Sequence, residues 1–200
     1  ELAGIPARAR DRGPGDPLVT MGGVCAWSNP EPLAAFVDWF FLGEGEESSH
    51  EVFELWMRIR EAERDPEAAR AEFLRALPGI EGIYVPRFYD VKYQEDGTVA
   101  DVIPYDGAPL PVRKRRLART DDYDTVSMVR TVNTEFGEMA LLEVGKGCGR
   151  GCRFCMEGEI YRPVRHRHID AILRAADTAL QRGKRIGLVG ACVSDYPWID

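Results

Sequence analysis

Residues 138–189 restrict this chain more than any other stretch. Glu138 to Val144 is an apolar run of strand length. A glycine- and cysteine-rich loop follows it. Ile169, Ile172, Leu173, Ala176 and Leu180 then recur at helical spacing, and Gly183 is placed to end that helix. Ile186 to Val189 reads as a second buried strand. Strand, loop, helix and strand in this order specify an α/β segment with a loop at the carboxyl end of its first strand.

The first fifty residues repeat the theme. Leu18 to Met21 reads as a short buried strand ending at Gly22-Gly23, where the backbone turns sharply. Asn29 is placed as a helix N-cap with Pro30 at the first helical position, predicting a helix through Leu33, Phe36 and Val37. A strand over Trp39 to Leu42 closes the unit, and strand–helix–strand order implies parallel pairing by a right-handed crossover. Beyond Gly43-Glu44-Gly45-Glu46, the residues Val52, Phe53, Leu55, Trp56 and Ile59 predict an amphipathic helix. Asp65-Pro66 opens another that stops at Pro78-Gly79. Phe88–Tyr93 and Val99–Ile103 flank Glu95-Asp96-Gly97, a hairpin signal. Residues 104–133 read as an extended connector, in which Arg113-Lys114-Arg115-Arg116 is neutralised by Asp121-Asp122.

The loop reads Gly145-Lys146-Gly147-Cys148-Gly149-Arg150-Gly151-Cys152-Arg153-Phe154-Cys155. Three of the chain's five cysteines fall within it. Clustered thiols point to a reducing compartment and a metal or redox site rather than a disulfide framework, and the chain is read as cytoplasmic. Thiolates hold iron–sulfur clusters, and three of them on a four-iron cubane leave one iron open for chemistry. The glycines allow close wrapping, and Lys146, Arg150 and Arg153 add positive charge around an anionic cluster. Two alternatives stay open. One is a zinc site completed by Cys192, His166 or His168. The other is a dithiol redox pair, Cys152 and Cys155, which leaves Cys148 unexplained.

The Cys-x-x-x-Cys-x-x-Cys loop, with Phe154 before its last cysteine, resembles the signature of the radical S-adenosylmethionine (radical SAM) superfamily. The resemblance implies a 4Fe-4S cluster on Cys148, Cys152 and Cys155, with SAM chelating the open iron and Phe154 near its adenine. It implies reductive cleavage of SAM to a 5′-deoxyadenosyl radical and a one-electron donor such as a flavodoxin or ferredoxin. Gly158-Glu159-Ile160-Tyr161-Arg162-Pro163-Val164-Arg165 resembles the stretch after the cluster in a subgroup with an N-terminal cobalamin-binding-type domain. Met21-Gly22-Gly23, Asn29-Pro30-Glu31-Pro32-Leu33 and Gly82-Ile83-Tyr84-Val85-Pro86 resemble parts of that domain and its connector. Gly22 and Gly23 then line a cobalamin tail or simply turn the chain.

The expected fold is α/β in three parts. Residues 1–47 form the rear of a Rossmann-like, cobalamin-binding-type domain. Residues 48–137 form a helical and hairpin connector, and 138–200 start a radical SAM (β/α) partial barrel. The usual Asp-x-His-x-x-Gly cobalamin signature is absent, and Gly190-Ala191-Cys192-Val193-Ser194-Asp195 stands where the family often has Gly-Gly-Glu. The start at Glu1 and the stop just after a strand predict a piece of a longer enzyme whose substrate and catalytic residues the sequence does not name. A net charge of −7 disfavours nucleic acid as the main partner, and no apolar run has the ~20 residues of a membrane span. Trp27, Trp39 and Trp56 are assigned to packing, Cys25 is read as inert, and Cys192 as a small hydrophobe or a pocket residue. The basic run of Arg162, Arg165, His166, Arg167 and His168 is read as a solvated lead-in to the last helix, with SAM or an acidic substrate as the competing reading.

Overall fold

The computed structural model describes residues 3–199, apart from 125, 128, 130, 132 and 182–184. It is a mixed α/β structure built from small sheets. The chain divides into two units, residues 1–117 and 118–200.

In the first unit, β1 (Thr20–Met21) runs parallel to β2 (Trp39–Phe41), with Thr20 beside Trp39 and Met21 beside Phe40. The parallel pairing agrees with the expectation from sequence. The connection between them does not. A five-residue helix, α1 (Val24–Ser28), comes first, and only a 3-10 turn, Glu31–Leu33, follows Pro30. The backbone bonds here close on the third residue back, Leu33 N–H to the Pro30 carbonyl at 3.0 Å and Ala34 N–H to the Glu31 carbonyl at 3.1 Å, so the turn stays 3-10. Asn29 still caps locally, its Oδ1 accepting from the Glu31 N–H at 3.1 Å. A third strand, β3 (Ile83–Tyr84), pairs antiparallel to β2 and gives the order β1-β2-β3.

Two helices cover this sheet. The long α2 (Gly45–Ala62) buries Ser48, Val52, Leu55 and Ile59, a stripe at three- and four-residue steps. Phe53, expected on that face, lies outside the stripe and is exposed. The next helix, α3 (Pro66–Ala76), starts as read: Asp65 accepts the Ala68 N–H at 3.0 Å, and proline occupies the first position. Phe73 of α3 is the centre of an aromatic cluster. Trp39 meets it edge-on at 5.6 Å and Trp56 at 5.0 Å, so these tryptophans pack as expected.

The hairpin also forms. Strands β4 (Tyr89–Tyr93) and β5 (Val99–Pro104) pair antiparallel around Gly97, which adopts φ +82°. The chain after β5 is more than a surface connector. Arg115 donates its backbone N–H to the Leu42 carbonyl at 2.9 Å and accepts from Glu44 at 3.1 Å. A Cβ on Gly43 would lie 2.2 Å from the Arg115 carbonyl oxygen, so only glycine allows this approach. The Arg115 guanidinium holds Glu47 and Glu51 of α2, each at 2.7 Å. Arg115 of the basic run is therefore tied to α2, and Asp122 pairs with Arg119.

In the second unit, β6 (Met139–Glu143) and β9 (Arg185–Val189) are parallel neighbours, Met139 beside Arg185 through Glu143 beside Val189. Helix α5 (Ile169–Gln181) lies between them in sequence. Its buried residues are Ala171, Ile172, Ala175 and Ala179, while Leu173 and Leu180 are exposed. The face is rotated from the one expected because small alanines, not leucines, meet the sheet. The assignment of Gly183 as helix terminator falls outside the described residues. Rossmann-like and barrel closure go beyond what these small sheets establish.

Candidate cofactor loop

The cysteine loop leaves the carboxyl end of β6 through Val144. It has a neck. Two-residue strands β7 (Gly145–Lys146) and β8 (Arg165–His166) pair antiparallel, Gly145 with His166 and Lys146 with Arg165. Residues 147–164 thus form an excursion whose two ends are bonded together. At Gly147 the backbone has φ +82°, and an added Cβ would sit 2.5 Å from the Tyr161 carbonyl oxygen. Gly151 has φ +62°. A short helix, α4 (Glu157–Ile160), follows the last cysteine.

Cys148 and Cys155 are half-buried, Cys152 is exposed, and all three are free thiols. A turn joins two of them, the Cys155 N–H donating to the Cys152 carbonyl at 3.0 Å. Among the described residues, no three His, Cys, Asp or Glu side chains converge closely enough to hold a metal ion. The donors fit a thiolate-bound cluster in kind and spacing, but the loop does not present them drawn together. The zinc alternative gains no assembled site either. The His166 ring packs edge-on against Tyr196 at 5.9 Å, and His168 Nδ1 lies 3.3 Å from Asp170.

Charge around the loop is arranged differently from the sequence reading. Lys146 is buried and lies 3.2 Å from Glu143. Arg167 is buried too, 3.3 Å from Glu143, and donates to the carbonyls of Thr120 and Tyr123. The solvated lead-in reading therefore fails for Arg167, which braces the strand before the loop to residues 120–123. Arg162 pairs with Glu159 at 3.2 Å. Glu143 escapes the reading from sequence. Its one signal there is a carboxylate closing an apolar strand three residues before Lys146. Burial, reinforced by the Glu143 carboxylate, pushes the Glu157 carboxyl above its ordinary value.

Arg150, between Cys148 and Cys152, clasps Asp195. Its Nε donates to Oδ2 at 2.8 Å and its Nη2 to Oδ1. The hydrogen bond from Arg150 holds Asp195 below the usual carboxylate range, with a further bond to Cys192. Cys192 is half-buried, its Sγ 3.4 Å from the Ser194 hydroxyl. The segment after β9 thus touches the cysteine loop directly. Phe154 is 91% exposed, the barest large apolar side chain among the described residues. Cys25 is exposed on α1. Gly22 and Gly23 form the turn from β1 into α1, Gly23 with φ +88° and Gly22 packed near Phe41.

Comparison with known proteins adds a second pointer from another part of the chain. Residues 1–86 match the family model of radical SAM proteins, N-terminal. The matched stretch contains none of the loop's cysteines, so it supports the radical SAM superfamily independently of their spacing. An uncharacterized protein of Methanocaldococcus jannaschii is 28% identical over 184 residues, which is 91% of this chain and 33% of that protein. The chain spans about one third of the length of this curated relative. No solved structure matches. No described helix is long and apolar enough to cross a membrane.

Proposed function

We propose that the protein acts as a radical SAM enzyme in which Cys148, Cys152 and Cys155 ligate a 4Fe-4S cluster. The observation that carries this reading is the Cys-x-x-x-Cys-x-x-Cys loop at the carboxyl end of a parallel strand, where barrel enzymes place their sites. The radical SAM match over residues 1–86 supports it separately. When bound, such a cluster supplies one electron that cleaves SAM to methionine and a 5′-deoxyadenosyl radical able to take a hydrogen atom from substrate.

The chain's own residues then have definite tasks. Gly147 and Gly151 supply the left-handed turns that let the loop double back. Lys146 and Arg167 neutralise Glu143 at the end of the strand that leads into the loop. Arg150 and Asp195 fix the middle of the loop. Phe154 offers an open ring for the adenine of SAM. A flavodoxin- or ferredoxin-type protein is the expected electron donor. Gly22 and Gly23 lie at the carboxyl end of β1, the end at which open α/β sheets take ligands, and a cobalamin tail there belongs to the same proposal.

The test is anaerobic iron–sulfide reconstitution, metal and sulfide assay, and electron paramagnetic resonance of the dithionite-reduced protein with and without SAM. The expected result is a reduced-cluster signal that changes on adding SAM and is lost in Cys148→Ala, Cys152→Ala and Cys155→Ala. Stoichiometric zinc with no iron would refute the reading and leave the loop structural.

A further inference from the structure

The first unit contains a cavity of about 280 Å³ at the opposite end of its sheet from Gly22 and Gly23. It lies beside Val37 and Asp38, which lead into β2, Tyr84, which ends β3, and Pro86, which follows it. Its volume sits at the lower end of ordinary small-molecule sites. One wall is aromatic, the rings of Tyr84 and Tyr89 lying 4.9 Å apart. The Tyr84 hydroxyl is fixed by donating to Glu31, and the Tyr89 hydroxyl by donating to the Pro109 carbonyl at 2.7 Å.

The rest of the wall is cationic. Arg8, Arg10 and Arg87 line it, and the carboxylates beside them are Glu31 and Asp38. Asp38 is already shared by the buried Arg12 guanidinium at 2.9 Å and the half-buried Arg70 guanidinium at 3.3 Å. Arg10 has a loose contact to Asp11 at 3.6 Å, and the Asp16 carboxylate accepts from the Gly13 N–H. Neither the Arg8 nor the Arg87 side chain has a carboxylate partner among the described residues. Burial first, and then the fields of Arg12 and Arg87 against that of Asp38, lower the pKa of Arg70. Positive charge is thus in local excess within a chain of net charge −7. An oxyanion is the group that such paired forks accept best.

We propose that this cavity binds a small molecule carrying an oxyanion, phosphate or carboxylate, on a flat ring. The oxyanion lies between Arg8 and Arg87, and the ring lies on the wall of Tyr84, Tyr89 and Pro86. No lining residue belongs to the cysteine loop, and the proposal does not depend on the chemistry of that loop.

The experiment is isothermal titration calorimetry of the chain at low salt with adenosine 5′-monophosphate, benzoate and adenosine. Adenosine 5′-monophosphate or benzoate is expected to bind, whichever does so naming the oxyanion, and uncharged adenosine is expected to bind at least tenfold more weakly, by the usual strength of charge-assisted bonds. Arg8→Ala and Arg87→Ala are each expected to weaken binding about tenfold, with Arg58→Ala unchanged. Glu31→Gln removes the opposing charge and keeps an acceptor for Tyr84, so binding should tighten, a sign that misfolding does not mimic. Silence from every probe, adenosine binding as tightly as its phosphate, or equal losses in the arginine and Glu31 variants would overturn the proposal.

Discussion

Asp38→Ala is the sharpest test of how the first unit is held together. The Asp38 and Arg12 side chains are each 1% exposed. The carboxylate accepts from Arg12 Nε at 3.0 Å, the Val19 N–H at 2.8 Å and Arg70 Nη2 at 3.3 Å. Alanine removes all of these at once. Arg12 keeps the carbonyls of Pro6, Ala7 and Phe36 as acceptors, so its N–H groups stay mostly satisfied. Its charge does not. Stranding one partner of a buried ion pair costs about 3–5 kcal/mol. That is a large fraction of the roughly 5–15 kcal/mol by which domains are stable. Trp27, Trp39 and Trp56 all lie in the first unit, so urea unfolding followed by tryptophan fluorescence in a Trp198→Phe background reports that unit. The exposed pair of Asp90 and Lys92 supplies the control, and Asp90→Ala should leave the midpoint in place. A loss below about 1 kcal/mol for Asp38→Ala, the range of a surface pair, would refute the reasoning.

Three further outcomes concern the second unit. Gly147→Ala puts a side chain at φ +82° and a Cβ 2.5 Å from the Tyr161 oxygen, so iron uptake on reconstitution should fall sharply, whereas Gly149→Ala, with its nearest contact at 3.7 Å, should keep it; equal uptake would show that the turn is dispensable. The raised Glu157 carboxyl binds its proton more tightly in the folded than in the unfolded chain, so its contribution is present below the ordinary carboxylate value and lost as pH rises through the raised one. Glu157→Gln should therefore match wild type in urea unfolding near pH 4 and exceed it near pH 7, and an equal difference at both would refute this. Asp195→Asn weakens the clasp on Arg150, and limited trypsin digestion should cut after Arg150 and Arg153 faster than in wild type; an unchanged rate would mean that the clasp does not hold the loop.

The parallel frame of β6, α5 and β9 was legible because apolar strands and a helical period survive in the sequence whatever packs on them. The same holds for β1, β2 and the hairpin, where Gly97 marks the turn. What escaped was set by short-range exceptions and by tertiary contacts. The helix that Asn29 and Pro30 announced is only a 3-10 turn. Alanines took the buried face of α5 from leucines, since close approach rewards small side chains more than apolar count suggests. Arg115 and Arg167 looked like surface charge, and their partners Glu47, Glu51 and Glu143 lie far off in sequence. The cysteine loop was legible by residue type and spacing, and it leaves the end of β6 as expected. The neck beneath it was not legible, since Gly145-Lys146 and Arg165-His166 carry no strand signal of their own.

That neck has a consequence for how such a loop can change. The hydrogen bonds between Gly145-Lys146 and Arg165-His166 return the chain to its point of departure. Whatever lies between them enters and leaves at a fixed place, and Arg167 ties the returning strand to Glu143 at the end of β6. Residues 147–164 can therefore lengthen, shorten or exchange side chains while the register of β6 on β9 stays as it is. The scaffold and the loop mounted on it are free to evolve at different rates.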